Sequence, residues 1–418
     1  MDTLQKIFEK TFEDSFSFPV VGAKLIKRQL EKKGVILNDI QVEELEKKLQ
    51  DINGDLSNIE FDLDEEQNRL LGGSDGKKFE IDIGGEKELD ELYQDFVTKI
   101  EESVPGIIEE MKATILSGLK KDMPIMLKAH RKDIKSFERR LQNDWKKPFD
   151  LFEAFLVLAY EAGEEFNAEF RKDEAERENY VLEVLTRLHA RACQISSEIL
   201  VLLKSGFADG AHARWRSLHE IAVVCAFIQK HGNEIAERYL LHDNIESFKA
   251  ANLYQKYYEA LGDIPITQEE YDAIKLVYEQ LISRFGNSYK NDYGWASSVL
   301  NNEKPNFSDI EKDSGLDYYR LYYKLASHNV HANPKGLMFK LGLLPETQNL
   351  LLAGPSNTGF TDPAHGTAIS LGFITTTLIT TKPTIDNFVL SKILSEFQSE
   401  IGEEFLKIQK EIEERNAT

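Results

Sequence analysis

Apolar residues recur three and four positions apart along most of this chain. A pattern of that period is buried by packing helices on helices, not by pairing strands. From Glu86 to Phe170 it runs through Leu92, Phe96, Ile100, Val104, Ile107, Ile108 and Met111. It predicts long helices interrupted at Pro105, Pro124 and Pro148, where a backbone donor is lost. Beyond Tyr180 the stripes become denser. Val181, Val184, Leu185, Leu188, Ile195, Ile199, Leu202 and Leu203 form one, and Ile221, Val224, Cys225, Phe227 and Ile228 another. A helical bundle is the simplest way to bury them. Gly206 and Gly210 punctuate the first helix pair, and Gly262, Pro265 and Gly286 the next.

The exception lies near the start. Ile59-Glu-Phe-Asp-Leu63 and Phe79-Glu-Ile-Asp-Ile83 alternate apolar with polar residues on either side of the turn cluster at 72–76, which predicts a hairpin. With two short helices over 22–50 it makes residues 1–95 a small α+β unit, expected to act as an interaction module. Residues 96–175 then form a long helical connector, and 176–418 a helical bundle domain closed by helices at 365–381 and 385–413. The expected class is mainly α. At 418 residues the chain exceeds the roughly 250–300 that one core supports, so several units are expected.

Charge and cysteine usage narrow the function classes. The net charge of −21 opposes general attraction to nucleic acid or anionic lipid. One stretch differs: Lys112 to Lys147 holds eleven bases against four acids. It reads as a solvated helix paired with the acid-rich segments around it, or as a place to hold a polyanion. No run approaches the ~18 apolar residues that span a bilayer, and the first residues, MDTLQKIFEKTFEDSF, lack a secretory pattern. No membrane association and a cytoplasmic location are therefore expected. Cys193 and Cys225 lie within apolar helical patterns, as buried thiols and not as a disulfide.

Eight of the nine histidines fall between His189 and His365, and this clustering points to a site. In Ala211-His-Ala-Arg-Trp-Arg-Ser-Leu-His-Glu220, helical spacing puts His212, Arg216 and His219 on one face, with Arg216 and Glu220 able to pair. This arrangement fits a buried polar network that bridges helices. It also fits an Arg that holds a phosphate beside a His exchanging a proton, the minimum for metal-free RNA cleavage. Arg214-x4-His219 resembles the R-x4–6-H motif of the HEPN ribonucleases, although five residues turn two side chains about 140° apart on a helix. Ser327-His-Asn-Val-His-Ala332 is similar to the end of a HEPN-type helix. A metal reading rests on His328 and His331, three apart, and on the order His219, His242-Asp243, Asp292, which is that of metal-dependent phosphohydrolases. The tyrosines concentrated between Tyr239 and Tyr323 read mainly as core with a hydroxyl reaching a polar partner. A Ser/His/Asp hydrolase is excluded by the lack of a Gly-x-Ser-x-Gly elbow and of strands to carry it.

Longer motifs carry a family resemblance: 205–220, Glu237-Arg-Tyr-Leu-Leu-His242, Asp292-Tyr-Gly-Trp-Ala296, 327–336, and Gly354-Pro-Ser-Asn-Thr-Gly-Phe-Thr-Asp-Pro363. Over about 180–380 the chain resembles the bacterial domain-of-unknown-function family 5677. That resemblance implies a setting in antiviral defence without naming a reaction. The residues N-terminal to it would supply sensing, assembly or toxin control. Two functions are expected from these readings. The first is an HEPN-like, metal-independent endoribonuclease or toxin, with Arg214 or Arg216 holding the phosphate, His219 exchanging the proton, and His328 and His331 completing the pocket. His242, Tyr239, Asp292, Tyr293 and Lys335 would contact substrate, with no cofactor and no metal. Its partners would be RNA, a protein bound through the N-terminal module, and a second copy in a homodimer. The second is a non-catalytic helical scaffold or sensor in which the same residues form a satisfied network.

Overall fold

The computed structural model describes residues 6, 13, 17–51, 59, 60, 62–72, 86–331, 333–347 and 349–417. Among these the protein is mainly α and no strand is present. The chain divides into two compact units, Met1–Leu127 and Lys128–Thr418.

In the first unit, α1 (Phe18–Lys32) and α2 (Asp39–Asp51) pack against each other. Ala23, Ile26 and Leu30 from α1, Val35 and Leu37 from the turn, and Leu45 and Leu49 from α2 make its core. Gly34, at φ +84°, provides the left-handed turn that ends α1. A short α3 (Glu65–Leu70) starts on a capping box between Asp64 and Gln67, and Gln67 Nε2 donates to Ile36 O at 2.7 Å. The α+β expectation is corrected here. Ile59 and Leu63 pack onto the α1–α2 core instead of pairing as a strand. Two helices already offer an apolar surface that takes both side chains. Residues 79–83, the other half of the expected hairpin, lie outside the described residues. The expected breaks at Pro105 and Pro124 are also absent, because α4 (Glu86–Asp144) runs through both prolines. Pro148 falls in the first turn of α5 (Lys146–Glu176), where the missing donor costs nothing.

The second unit is built around α5, α6 (Tyr180–Lys204), α7 (Ala208–His231), α15 (Thr361–Ile379) and α16 (Ile385–Ala417). The connecting helices are α8 (Asn233–Leu241), α9 (Asp243–Leu261), α10 (Gln268–Phe285), α11 (Ser297–Leu300), α12 (Phe307–Asp313), α13 (Arg320–Val330) and α14 (Pro334–Met338). The sequence explains why α15 is central. It carries apolar or hydroxyl residues on all sides and packs against α5, α6, α7 and α16. Its hydroxyls satisfy themselves on the preceding turn: Thr367 Oγ1 donates to Pro363 O at 2.6 Å and Thr375 Oγ1 to Leu371 O at 2.9 Å. Gly210, expected to punctuate the α6–α7 connection, lies inside α7, and Gly206 alone makes the turn at φ +84°. Cys193 is half-buried, Cys225 is buried, and both are free thiols. No described helix is long and apolar enough to cross a membrane.

The Gly/Pro/Asn segment 354–359 is a strap over this bundle. Ser356 N donates to Gly206 O at 2.9 Å, and Asn357 bridges α4 and Trp145 by accepting from Trp145 Nε1 at 2.9 Å and donating to Asp144 Oδ2 at 2.8 Å. Trp145 is fully buried among Phe149, Phe360 and Phe405. Another close approach joins α5 to α6. A Cβ on Gly163 would stand 2.2 Å from the ring of His189, whose Nε2 is hydrogen-bonded with Thr375 Oγ1 at 3.0 Å. Gly163→Ala is therefore expected to destabilise the protein by about 1–3 kcal/mol, because the held ring cannot retreat. A denaturant melt that leaves the midpoint unchanged would contradict this packing.

Candidate functional site

Helix α7 distributes the residues of its polar segment over three directions. His212, Trp215 and His219 turn inward, with the rings of His212 and His219 each 5.5 Å from that of Trp215. Trp215 Nε1 donates to Ser370 Oγ on α15 at 3.1 Å, and Gly366 leaves room for the indole, since a Cβ there would lie 2.8 Å from Nε1. Arg214 points another way and pairs with Glu198 on α6 and with Ser217. The two members of the Arg214-x4-His219 spacing therefore diverge, as their angular separation requires. Arg216 and Glu220 lie beside the inward face, half-buried, and pair at 3.2 Å.

A carboxylate from α12 completes the arrangement. Glu311 has no exposed surface, and its Oε1 accepts from His219 Nε2 at 2.9 Å, while His219 is itself 2% exposed. Arg320, at the start of α13, places Nε 2.9 Å from Glu311 Oε2. The contact is an ion pair without hydrogen-bond alignment, because Oε2 accepts no hydrogen bond. The rings of Trp215, Phe307, Tyr319 and Tyr323 surround the imidazole at 5.5–6.3 Å. Burial pulls the His219 pKa below its ordinary value, more than the Glu311 carboxylate raises it. The pair is thus a neutral imidazole donating to a carboxylate whose charge Arg320 balances.

Tyr323 joins this interior to the half-open edge. Its hydroxyl donates to Glu220 Oε1 at 2.6 Å, and Arg216 lies over its ring at 4.9 Å. Arg216 Nε is buried and has no hydrogen-bond partner. Tyr293 stands near Arg216 and Glu220, and packs at 6.5 Å on Phe307.

The remaining expected residues serve other contacts. His242 Nε2 donates to Tyr289 O and Asn291 O, both at 3.0 Å. Its neighbour Arg238, 4% exposed, donates to Trp295 O at 3.0 Å and Gly294 O at 3.3 Å, with its guanidinium over Phe285 and Tyr289. The two side chains grip the irregular segment 289–297. Gly294 is required there, because a Cβ would meet Tyr289 O at 2.4 Å. Tyr239 packs edge-on against Trp295 at 5.0 Å, and burial pushes its phenol up to about 12. Asp292 is exposed and paired with Lys249 at 2.8 Å. His219, His242 and Asp292 are thus engaged separately, and among the described residues no group of three His, Cys, Asp or Glu side chains is placed to hold a metal ion. His328 accepts from Asn333 Nδ2 at 2.8 Å. His331 leaves the helix with an extended backbone at ψ 143°, so the two do not share a helical face. Lys335 is exposed, with its ammonium over Phe339 at 5.4 Å. Tyr293 also lines an open basin of about 510 Å³ with Lys249, Lys290 and Lys304.

The structure therefore joins Arg216 and His219 through Glu220, Tyr323, Glu311 and Arg320, and sends Arg214, Tyr239, His242 and Asp292 to other contacts. Glu311 was not singled out from sequence. It sits in a short charged helix, Phe-Ser-Asp-Ile-Glu-Lys-Asp, where nothing marks which acid turns inward.

Residues 182–348 match the model of a family described as a family of unknown function, DUF5677. The match begins in α6 and ends after α14, so it covers the whole α7–α12–α13 cluster but not the strap. No curated protein and no solved structure matches the chain.

Burial has a consequence that can be measured. It holds His189 and His212 at about 4, both below the ordinary value of 6.5. The unfolded chain therefore takes up protons first as pH falls, and stability present above pH 6.5 is lost between about 6.5 and 4. Each histidine contributes a slope approaching 1.4 kcal/mol per pH unit. Urea midpoints measured from pH 7.5 to 5 should fall, and His212→Phe should make the fall shallower. An unchanged slope in that variant would show that His212 titrates normally.

Proposed function

We propose that the chain is a non-catalytic helical scaffold or sensor, in which the α7–α12–α13 cluster locks the outer helices onto the bundle. The observation that carries this reading is the sealing of His219, 2% exposed, against Glu311, which has no exposed surface. A general acid or base must come within hydrogen-bond reach of a substrate proton, directly or through one water. Here the Nε2 proton is already donated to Glu311 in a hydrogen bond, and four aromatic rings close the space around it. The outer helices also offer a surface. From Leu321 to Lys340 there are three bases, two histidines and no acid, in a chain whose net charge is −21. Leu321, Leu337 and Met338 are exposed along it. Such a surface suits an acidic protein partner. The antiviral-defence setting implied by the family resemblance, and a cytoplasmic location consistent with two free thiols, belong to the same proposal.

One observation favours a second reading, the HEPN-like, metal-independent endoribonuclease or toxin. Arg216 keeps a buried Nε without an acceptor at the half-open edge of the cluster, where a phosphate oxygen would satisfy it. In that reading Arg216 holds the phosphate, and His219 acts only after α13 moves away from it.

The two readings separate in one set of experiments. For the scaffold, purified protein leaves RNA intact in EDTA. His219→Ala, which removes one partner of a buried carboxylate, lowers stability by about 3–5 kcal/mol. RNA cleavage in EDTA that is abolished by Arg216→Ala, together with a His219→Ala protein that melts like the parent, would replace the scaffold with the nuclease.

A further inference from the structure

Helix α4 carries an apolar stripe that the described protein does not cover. From Pro105 to Met126 every residue except Met111 is exposed. Within that stretch Ile108, Met111, Ile115 and Leu119 follow one another at three- and four-residue steps, with Val104 before them and Met126 after. Ile108 is 56% and Leu119 61% exposed. A solvated helix gains nothing from such a stripe, whereas a helix pair buries it.

Charge along the same helix identifies the partner. Glu86 to Glu110 contains nine acids and two bases, a net of −7, and Lys112 to Asp144 contains nine bases and four acids, a net of +5. The sign changes at Met111, near the middle of the exposed stretch. Two such helices side by side in parallel would set acid against acid and base against base. Antiparallel, each acidic half lies along the other's basic half, and residues equally far from Ile115 on either side meet. Met111 then faces Leu119 and Val104 faces Met126, so the apolar stripe is complementary to itself in the orientation that charge favours.

We propose that two copies of this chain pair through α4 as an antiparallel, two-fold symmetric helix pair centred on Ile115. A two-fold contact of this kind uses the same patch on both copies and closes at a dimer. Asp122 is the one acid within the arc of the stripe and weakens the contact. The pairing does not depend on which reading of the α7 cluster holds.

The test uses the full chain. Sedimentation equilibrium over a hundredfold concentration range should show a dimer. Ile115→Glu with Leu119→Glu should raise its dissociation constant at least a hundredfold without changing the helical circular dichroism signal. For orientation, Val104→Cys and Met126→Cys proteins are oxidised separately and as a mixture, and the cross-linked peptides are identified by mass spectrometry. The expected product joins residue 104 of one copy to residue 126 of the other, and forms only in the mixture. A parent chain that stays monomeric overturns the proposal, as does a dimer indifferent to the double glutamate variant. Cross-links between like positions would establish a parallel pair and overturn it equally. A monomeric parent whose stripe binds anionic vesicles or a different protein would assign this face to that occupant instead.

Discussion

A carboxylate with no exposed surface governs the outer half of the second unit. Removing a charged group from water costs several kcal/mol even after the protein relaxes, and the charge is tolerated only where partners compensate for it. Glu311 has two: the imidazole of His219 on one oxygen and the guanidinium of Arg320 beside the other. These come from α7 and α13, so the condition that Glu311 be satisfied fixes α12 and α13 on α7 together. Once α13 is fixed, Tyr323 lies between Arg216 and Glu220, and the half-open edge of the cluster follows from the closed interior. Near the end of α13, His328 O is met by Gly336 of α14, where a Cβ would come within 2.0 Å.

The same logic recurs wherever the chain is irregular. Backbone donors and acceptors outside regular helices need partners when they are buried. The protein supplies them from long polar side chains on neighbouring helices. Arg238 and His242 take four carbonyls of the 289–297 segment. Asp209 accepts from Leu341 N, Gln409 from Gly359 N, and Asn357 ties the strap to Trp145 and Asp144. Asp209, Arg238, His242 and Asn357, all within the long sequence motifs, are thus occupied in holding irregular chain to the bundle. This accounts for ordered motifs around a Gly/Pro/Asn segment without requiring each of them to touch a substrate.

The helices of the bundle were legible because burial and period coincide. In α6, Val184, Leu185, Leu188, Ile195, Ile199 and Leu203 of the expected stripe are buried, and Val181 and Leu202 are half-buried. The pairing of Arg216 with Glu220 was legible for the same reason, being four residues apart on one helix. What failed depended on distant parts of the chain. Ile59 and Leu63 alternate like a strand, but a helix pair formed by other residues was available to bury them. Pro105 and Pro124 carry a local penalty that α4 absorbs. The grouping of His219 with Glu311 joins residues 92 positions apart, and no local signal tells Glu311 from the charged residues around it. Arg214 and Arg216 look equivalent in sequence, two residues apart. On a helix that separation points them to different neighbours, Glu198 for one and Tyr323 for the other.

The Glu311 constraint also bounds what the cluster can do. Moving α13 away from α7 withdraws Arg320 from a carboxylate that His219 alone would then satisfy. Separating the two leaves a carboxylate with no exposed surface on one partner in place of two, which disfavours the open arrangement. The closed arrangement is therefore the working ground state. A ligand that bound both arrangements equally would shift nothing, however tightly it bound. To open the cluster, a ligand must offset that loss through contacts it makes only with the open form. Arg320, released from Glu311, is the group best placed to provide them, and an anionic ligand is the kind it would reward. The residue that closes the cluster is thus also the one through which a ligand would open it.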